Sequence, residues 1–458
     1  VWSEFSAPDS QSWQALWQKE VAGKTVEQLS RRSWEGLTYP AIAPPATPTP
    51  LAARATTLQD PEQLARGPYG LGALTALGKP AIEIDLAQFL HHQGRSVLIE
   101  CLGEAEIRFT SASLVGSGAD AVHELGWMLS GLIHLLQGLP EGSPTPLGIR
   151  LVAGPRLLLE TAKFRAARRL LQEIEQAFEL KAPLGLHLIQ DERYLTLQDP
   201  HNNLLRSTTA ALAALLAGAD TCQLLPEGDR WASNVFHLAW AEAGLEGALD
   251  PVAGSGCIES LTRQLAEQAW QLALQPFDAT TAWSQAVQQR ASMEAALRRD
   301  EAVLVGVNRY VAGPAPERAP SSSWTPQTPV SLEHAQGILA RGGSLDETGR
   351  LPKLPELRWA EVFESLSRRG RGRSLAVVVR DANPAKQDFI RQWLGQADLH
   401  PEWVDQPPSQ GPWMLCAEEC SGEPPLWAGK APDGYAGIAV HRGCDRVTAL
   451  EKLLEILP

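Results

Sequence analysis

Asp199-Pro200-His201-Asn202-Asn203-Leu204-Leu205-Arg206-Ser207-Thr208-Thr209 opens the stretch that decides the fold. An Ala/Leu run follows and ends at Leu216-Ala217-Gly218-Ala219-Asp220. The stretch resumes at Asp250-Pro251-Val252-Ala253-Gly254-Ser255, continues through Glu259 and closes in a second helical pattern at Ala269-Trp270. A polar turn at Asn202, Asn203 and Arg206 leads into an Ala-rich segment, which is how a short strand hands over to a helix packed closely on a sheet. The Gly-Ser pair after Asp250-Pro251 marks a second such turn.

The same alternation extends in both directions. Short apolar runs at 96–102, 147–152, 184–188, 221–225 and 303–307 alternate with helical patterns at 120–138, 157–180, 203–218, 231–244 and 258–274. Strand-then-helix repetition of this length predicts a parallel α/β unit, with a (β/α)8 barrel as the leading form. In the 157–180 pattern Phe164, Ala167, Leu171, Ile174 and Phe178 form the apolar stripe. Lys163, Arg165, Arg168 and Arg169 lie off it; they read as a solvated face, with a phosphate patch as the alternative. Residues 40–52 carry five prolines from Pro40 to Pro50 and read as an extended strap. Residues 311–357, Pro- and Ser-rich with Gly342-Gly343, read as a linker. A second alternation follows, with strands expected at 374–379, 413–416 and 435–440 and helices at 359–367, 384–396 and 446–456. It predicts a small doubly wound, flavodoxin-like domain. The expected organisation is therefore an arm and strap over 1–60, a barrel unit over 61–311, a linker over 312–357 and a C-terminal domain over 358–458.

Bulk properties narrow the function. The 458 residues carry a net charge of −13, which argues against an electrostatic grip on nucleic acid or anionic lipid. No apolar run reaches the length of a membrane-spanning helix. Val1-Trp2-Ser3-Glu4-Phe5 has no basic segment before an apolar one, so no secretory signal is expected. The six cysteines include no C-x-x-C pair, and the Cys416/Cys420 spacing has no partner at zinc spacing; reduced thiols in a cytoplasmic protein are expected. Fifteen tryptophans against three methionines favour a partner-binding surface, with Trp13, Trp17 and Trp34 on the N-terminal arm.

The order of these segments resembles the methylmalonyl-CoA mutase family. The residues carrying the resemblance are Gly23-Lys24 and Trp34-Glu35-Gly36-Leu37, Ser117 to Gly126, Ala162 to Arg168, the 199–270 stretch, Val305-Gly306-Val307-Asn308-Arg309-Tyr310-Val311, and Asp433-Gly434-Tyr435 with Gly443-Cys444-Asp445. The resemblance implies a TIM-type (β/α)8 barrel followed by a degenerate cobalamin-binding-type domain. Only about 40 residues lie between Gly67-Pro68-Tyr69 and Phe109-Thr110, well short of the family's usual spacing, which implies an abbreviated barrel.

The chemistry that the family would carry is altered in each of its catalytic motifs, although single residues such as Asp381 and His187 are kept. Catalytic members hold cobalt through Asp-x-His-x-x-Gly after the first strand of the C-terminal domain; here the hexamer is Asp381-Ala382-Asn383-Pro384-Ala385-Lys386. Asp398-Leu399-His400 imitates part of the motif but lies after the helix. The family's Tyr-His pair falls on Ala112 and Ser113, its Arg-Thr-His-x-Gln strand end on Gly185 to Ile189 with only His187 kept, and its ribose-contacting segment on Leu225 to Asp229. Arg150 matches an arginine that contacts the CoA nucleotide, so it is the candidate substrate-binding residue, beside a structural reading that is favoured. The resemblance thus implies a non-catalytic small subunit that binds no cofactor itself and forms a heterodimer with a large catalytic subunit holding adenosylcobalamin. A stand-alone acyl-CoA-binding or regulatory protein is the alternative. An unrelated barrel enzyme is disfavoured, because the chain has no P-loop, no G-x-G-x-x-G and no H-E-x-x-H. Gly116-Ser117-Gly118 and Gly254-Ser255-Gly256 lack nucleophile-elbow spacing, and His91-His92 lacks a metal-spaced carboxylate.

Overall fold

A computed structural model of the chain describes residues 106–116, 118–139, 147–224, 230–245, 250–276, 279–311, 358–380, 384–417, 424–430, 435–441 and 443–457, with pieces of the first 46 residues and four strand segments between 57 and 85. The apolar runs become β7 (Glu106–Thr110), β8 (Leu147–Ala153), β9 (Gly185–Gln190) and β10 (Thr221–Gln223). Between and after them stand α1 (Ala112–Gly116), α2 (Ala121–Leu136), α3 (Leu157–Ala177), α4 (Asn202–Ala217), α5 (Arg230–His237), α6 (Gly256–Ala273) and α7 (Ala279–Arg298). In the N-terminal arm β1 (Arg31–Arg32) and β2 (Thr38–Tyr39) form a short antiparallel pair. With β3 (Thr57–Leu58), β4 (Leu64–Arg66), β5 (Gly72–Ala76) and β6 (Lys79–Asp85), strands β7 to β10 form an eight-stranded sheet in the order β3-β10-β9-β8-β7-β6-β5-β4.

This sheet corrects the expectation of eight parallel strands. From β6 to β3 every pairing is parallel, but β4–β5 and β5–β6 are antiparallel. No pairing joins β3 to β4 among the described residues. The reason is chain length: an antiparallel neighbour needs only a tight turn, whereas a parallel one needs a crossover of a dozen or more residues. Residues 64–85 therefore supply three strands by hairpins where strand–helix units would not fit.

Strand alternation places Ile149 and Leu151 of β8, Leu186 and Leu188 of β9, and Cys222 of β10 on one face of the sheet, in a single buried cluster with residues of α2, α3, α4 and α6. Helix α6 is held against α2 at Gly126, where an added Cβ would lie 2.6 Å from the Cβ of Leu272. The described part of the N-terminal arm packs on its own chain. Leu37 is fully buried in the same core, and Thr38 exchanges hydrogen bonds with the Gln264 side chain of α6. Trp13, Trp17 and Trp34, the linker 312–357 and the expected strand at 96–102 lie outside the described residues.

The 199–206 segment, a turn followed by the first residues of α4, is a docking point. The Asn203 side chain accepts from the Thr196 N–H and donates to its carbonyl, at 3.0 and 2.9 Å. Arg206 donates to Asn203 and to the Val305 carbonyl, at 2.9 and 2.8 Å; burial, opposed by Asp199, lowers its pKa to about 10. The 303–307 segment, expected as a strand, is instead a run of turns held by Asn308, whose side chain accepts from the Leu304 N–H and donates to the Ala302 carbonyl. Gly306 has φ +78°, and a Cβ there would come within 2.8 Å of Asn202 Nδ2 and Asp199 Oδ2. Gly306→Ala is expected to destabilise the protein by about 2 kcal/mol, through left-handed strain and overpacking together; a denaturant midpoint equal to the parent's would refute this close docking.

The C-terminal unit comprises α8 (Glu361–Gly370), β11 (Ser374–Arg380), α9 (Pro384–Gly395), β12 (His400–Val404), β13 (Trp413–Ala417), β14 (Leu426–Trp427), β15 (Ile438–Ala439) and α10 (Arg446–Ile456). Its all-parallel sheet runs β12-β11-β13-β14-β15, the 2-1-3-4-5 order of doubly wound folds. Phe363, Trp393 and Leu450 from the three helices share one core with Val377 and Met414, while Val378, Leu415, Ala417 and Trp427 form a separate cluster.

Candidate functional site

The sheet face turned away from the helices is where the first unit concentrates buried polar groups. Parallel register aligns Thr110 of β7, Arg150 of β8, His187 of β9 and Thr221 of β10 in one lateral row. Arg150, 2% exposed, donates through Nη2 to the Gln223 side chain. His187 Nδ1 and Thr221 Oγ1 are 2.9 Å apart. Arg108 is buried two residues before Thr110 on the same strand. Two guanidinium groups beside an imidazole and an amide make a face suited to a phosphate or carboxylate, because the planar donor fork matches such oxygens. Arg150 thus stands within β8, over the apolar run at 147–152. Gln223, its partner 73 positions away, had no local signal.

The other sequence-selected positions come out differently. Ala112 is an exposed residue at the start of α1. Asp381, Ala382 and Asn383, the side chain of Ser113, the segment Leu225 to Asp229 and the pair His91-His92 lie outside the described residues. Lys386, in the first turn of α9, donates from Nζ to the Ala417 carbonyl at the end of β13, with its ammonium 4.9 Å from the centre of the Trp427 ring. His400 begins β12 and pairs in register with Ser374, the first residue of β11. It therefore sits at the end of the sheet opposite the start of α9. Among the described residues no three His, Cys, Asp or Glu side chains gather at metal-binding distance. The Cys222 thiol faces the helix core, and burial pushes its pKa up to about 12.

The off-stripe cations of α3 form neither a solvated face nor a phosphate patch. Lys163, Arg165 and Arg168 are all at most 3% exposed. Arg165 meets Asp250 at 2.6 Å and Glu259 at 2.8 Å, and Arg169 meets the other Glu259 oxygen at 2.6 Å. Arg168 meets Asp220 at 3.0 Å. Lys163 lies between Glu124 at 2.7 Å and Glu160 at 2.8 Å. Asp220, Asp250 and Glu259 of the opening sequence stretch are thus counter-ions to one helix, which ties the segments carrying them to it.

A third polar group joins the two units. Arg358 forms a double hydrogen bond with Glu364 at 2.8 and 2.7 Å, and Glu364 also accepts from the Leu197 N–H. The Trp359 N–H donates to the Arg193 carbonyl, and the Arg193 guanidinium lies over the Trp359 ring. Asp300 takes Arg309 from its own unit at 2.6 Å and Arg446 from the other at 2.9 Å. Beside them is half-buried Glu361. Burial raises its pKa to about 7 from 4.5; Arg358 and Arg290 oppose the shift and Glu364 adds to it. The fold favours protonated Glu361, so its contribution is unfavourable and grows as pH rises from 4.5 to about 7. Glu361→Gln is expected to be neutral at pH 4.5 and to stabilise by about 1 kcal/mol at pH 8, after allowance for solvent screening. Equal parent–variant differences in unfolding free energy at the two pH values would contradict the assignment.

Two parallel α/β units joined by buried ion pairs define the class: a two-unit α/β protein with a polar, cationic sheet face in the first unit and a 2-1-3-4-5 sheet in the second. Residues 107–329, just under half of the chain, match the family model described as methylmalonyl-CoA mutase, and this region is similar to that family. It is 29% identical over 348 residues to a methylmalonyl-CoA mutase of Rhizobium meliloti, covering 67% of this chain and 48% of that protein. It is 32% identical to the methylmalonyl-CoA mutase of Cereibacter sphaeroides, over 46% of this chain and 35% of that protein. It is 31% identical to a methylmalonyl-CoA mutase small subunit of Porphyromonas gingivalis, over 44% and 38%. The chain spans about half or less of the length of these curated relatives.

Proposed function

We propose that this chain is the non-catalytic small subunit of a heterodimeric, adenosylcobalamin-dependent methylmalonyl-CoA mutase, working in the cytoplasm beside a large subunit that holds the cofactor and interconverts methylmalonyl-CoA and succinyl-CoA. The observation that carries this reading is a division between two kinds of family residue. Those that brace the scaffold, such as Arg165 with Asp250 and Glu259, are present and paired. The positions that would act on cobalt or substrate hold Asn383, Lys386, Ala112 and Ser113 instead. Alanine and serine offer no imidazole or phenol to a thioester or radical, and lysine does not fit where glycine would let a corrin tail approach. The chain's own role is then to stabilise its partner, with the parallel strands forming an abbreviated barrel. Relatives named small subunit support the reading.

Co-expression with the large mutase subunit is expected to give a heterodimer on size-exclusion chromatography. Separate elution of the two chains at micromolar concentration, where specific complexes of ordinary affinity persist, would overturn the proposal. The buried row of Arg150 and His187 favours the second reading, an acyl-CoA-binding or regulatory protein. Calorimetric binding of CoA by the isolated chain, lost in Arg150→Met, would decide for that reading if no heterodimer forms.

A further inference from the structure

In a doubly wound sheet the chain reverses its direction of growth at one point, and ligands enter beside the carboxyl ends of the two strands that flank it. Here those strands are β11 and β13, since the chain passes from β11 outward to β12 and then back to β13. The two strand ends are in register at Arg380 and Ala417. Across this point reaches Lys386, which starts on α9, beyond β11, and ends on the Ala417 carbonyl of β13 and over the ring of Trp427 in β14. Trp427 and Ala417 are 4% and 5% exposed. A cation in the first turn of a helix is poorly placed for the helix dipole, and a free lysine side chain would extend to water. This one is turned instead onto a strand-end carbonyl and an aromatic face, both of which attract an ammonium.

We infer that Lys386 is a built-in occupant of the switch-point crevice: its side chain fills the place a ligand would take and ties α9 to β13 and β14, so that the second unit keeps its fold with no cofactor. The substitution of the family's glycine is then a replacement of ligand by side chain, more than the loss of a motif. Only the choice of a corrinoid as probe rests on the proposed non-catalytic reading. The contact itself is independent of any partner.

The test uses the full chain. Pulse labelling with acetic anhydride, read by mass spectrometry, is expected to modify Lys386 about tenfold more slowly than exposed Lys430 and Lys452, the ratio that one net hydrogen bond sets. Hydrogen exchange across β13 and β14 is expected to rise about tenfold or more in Lys386→Gly and by less in Lys386→Met, which keeps the stem over Trp427. Aquocobalamin is expected to leave the parent's visible spectrum unchanged after desalting. Labelling of Lys386 at the rate of Lys430, unchanged exchange in Lys386→Gly, or a corrinoid retained by the parent would each overturn the inference. If Lys386→Gly does not fold, parent labelling and the methionine variant still decide it. None of these measurements requires the large subunit, so failure to form the heterodimer leaves their outcome intact.

Discussion

Arg165→Met is expected to destabilise the protein by about 3–5 kcal/mol, the range found when one member of a buried ion pair is removed. Arg165 is fully buried, and each of its terminal nitrogens meets a different carboxylate, Asp250 at 2.6 Å and Glu259 at 2.8 Å. Methionine fills much of the same volume, so the loss is electrostatic more than a cavity. Asp250 and Glu259, 5% and 9% exposed, then carry negative charge beside an apolar side chain. Glu259 keeps Arg169 and the Gly254 N–H, and Asp250 loses its 2.6 Å contact with Arg165. A double-mutant cycle with Asp250→Asn should therefore recover part of the loss, because the amide needs no counter-ion. Chemical denaturation measures both effects. A single-variant change below about 1 kcal/mol, the ceiling for an exposed pair, would mean that the cluster is solvated.

That cluster also marks where the sequence was legible and where it was not. Periodicity gave the length and apolar stripe of α3 correctly, because Phe164, Ala167, Leu171 and Ile174 do enter the core. It misread Lys163, Arg165 and Arg168, since a charged position off the stripe looks the same whether it faces water or a carboxylate 39 to 94 residues away. Pairing over that separation leaves no local pattern. The same reason hides Gln223 from Arg150. Helix α7 was missed because its buried residues, Ala282, Ala286, Val287, Met293 and Leu297, are mostly small and form no broad apolar run. Strand β12 was missed because His400-Pro401-Glu402 reads as a turn; proline is tolerated there since β12 is an edge strand. The antiparallel hairpins of residues 64–85 were foreshadowed only as a shortage of residues. In contrast, the C-terminal alternation gave β11, α9, β13 and α10 closely, because in a parallel sheet each strand is a short continuous apolar run.

Lys163→Met should show the second large effect, and its pH dependence provides the test. Lys163 stands between two carboxylates that are themselves 2% and 3% exposed, Glu124 and Glu160. Burial alone would lower its pKa, but Glu124 and Glu160 outweigh burial and hold it above its usual value. Its ammonium also donates to the Val152 carbonyl, while Glu124 accepts from the Val152 N–H and from the Ser111 hydroxyl, both at 2.6 Å. The group thus ties α2 and α3 to the carboxyl ends of β7 and β8, two residues beyond Arg150. With the cation removed, two buried carboxylates face each other, and the expected loss at neutral pH is about 3–5 kcal/mol. Like charges in a dry site raise carboxyl pKa values, so the variant's folded state binds protons more readily than its unfolded state. Its stability relative to the parent should therefore fall as pH rises through the carboxylate range and recover as pH is lowered toward 5. Unfolding curves at pH 5 and pH 8 decide the matter: a parent–variant gap wider at pH 8 is expected, and a gap that is constant or wider at pH 5 would show that Lys163 acts by packing alone. The same variant should also loosen the strand end that positions Arg150, because that end is held through Val152 and through Ser111, whose N–H and hydroxyl both donate to the Arg150 carbonyl.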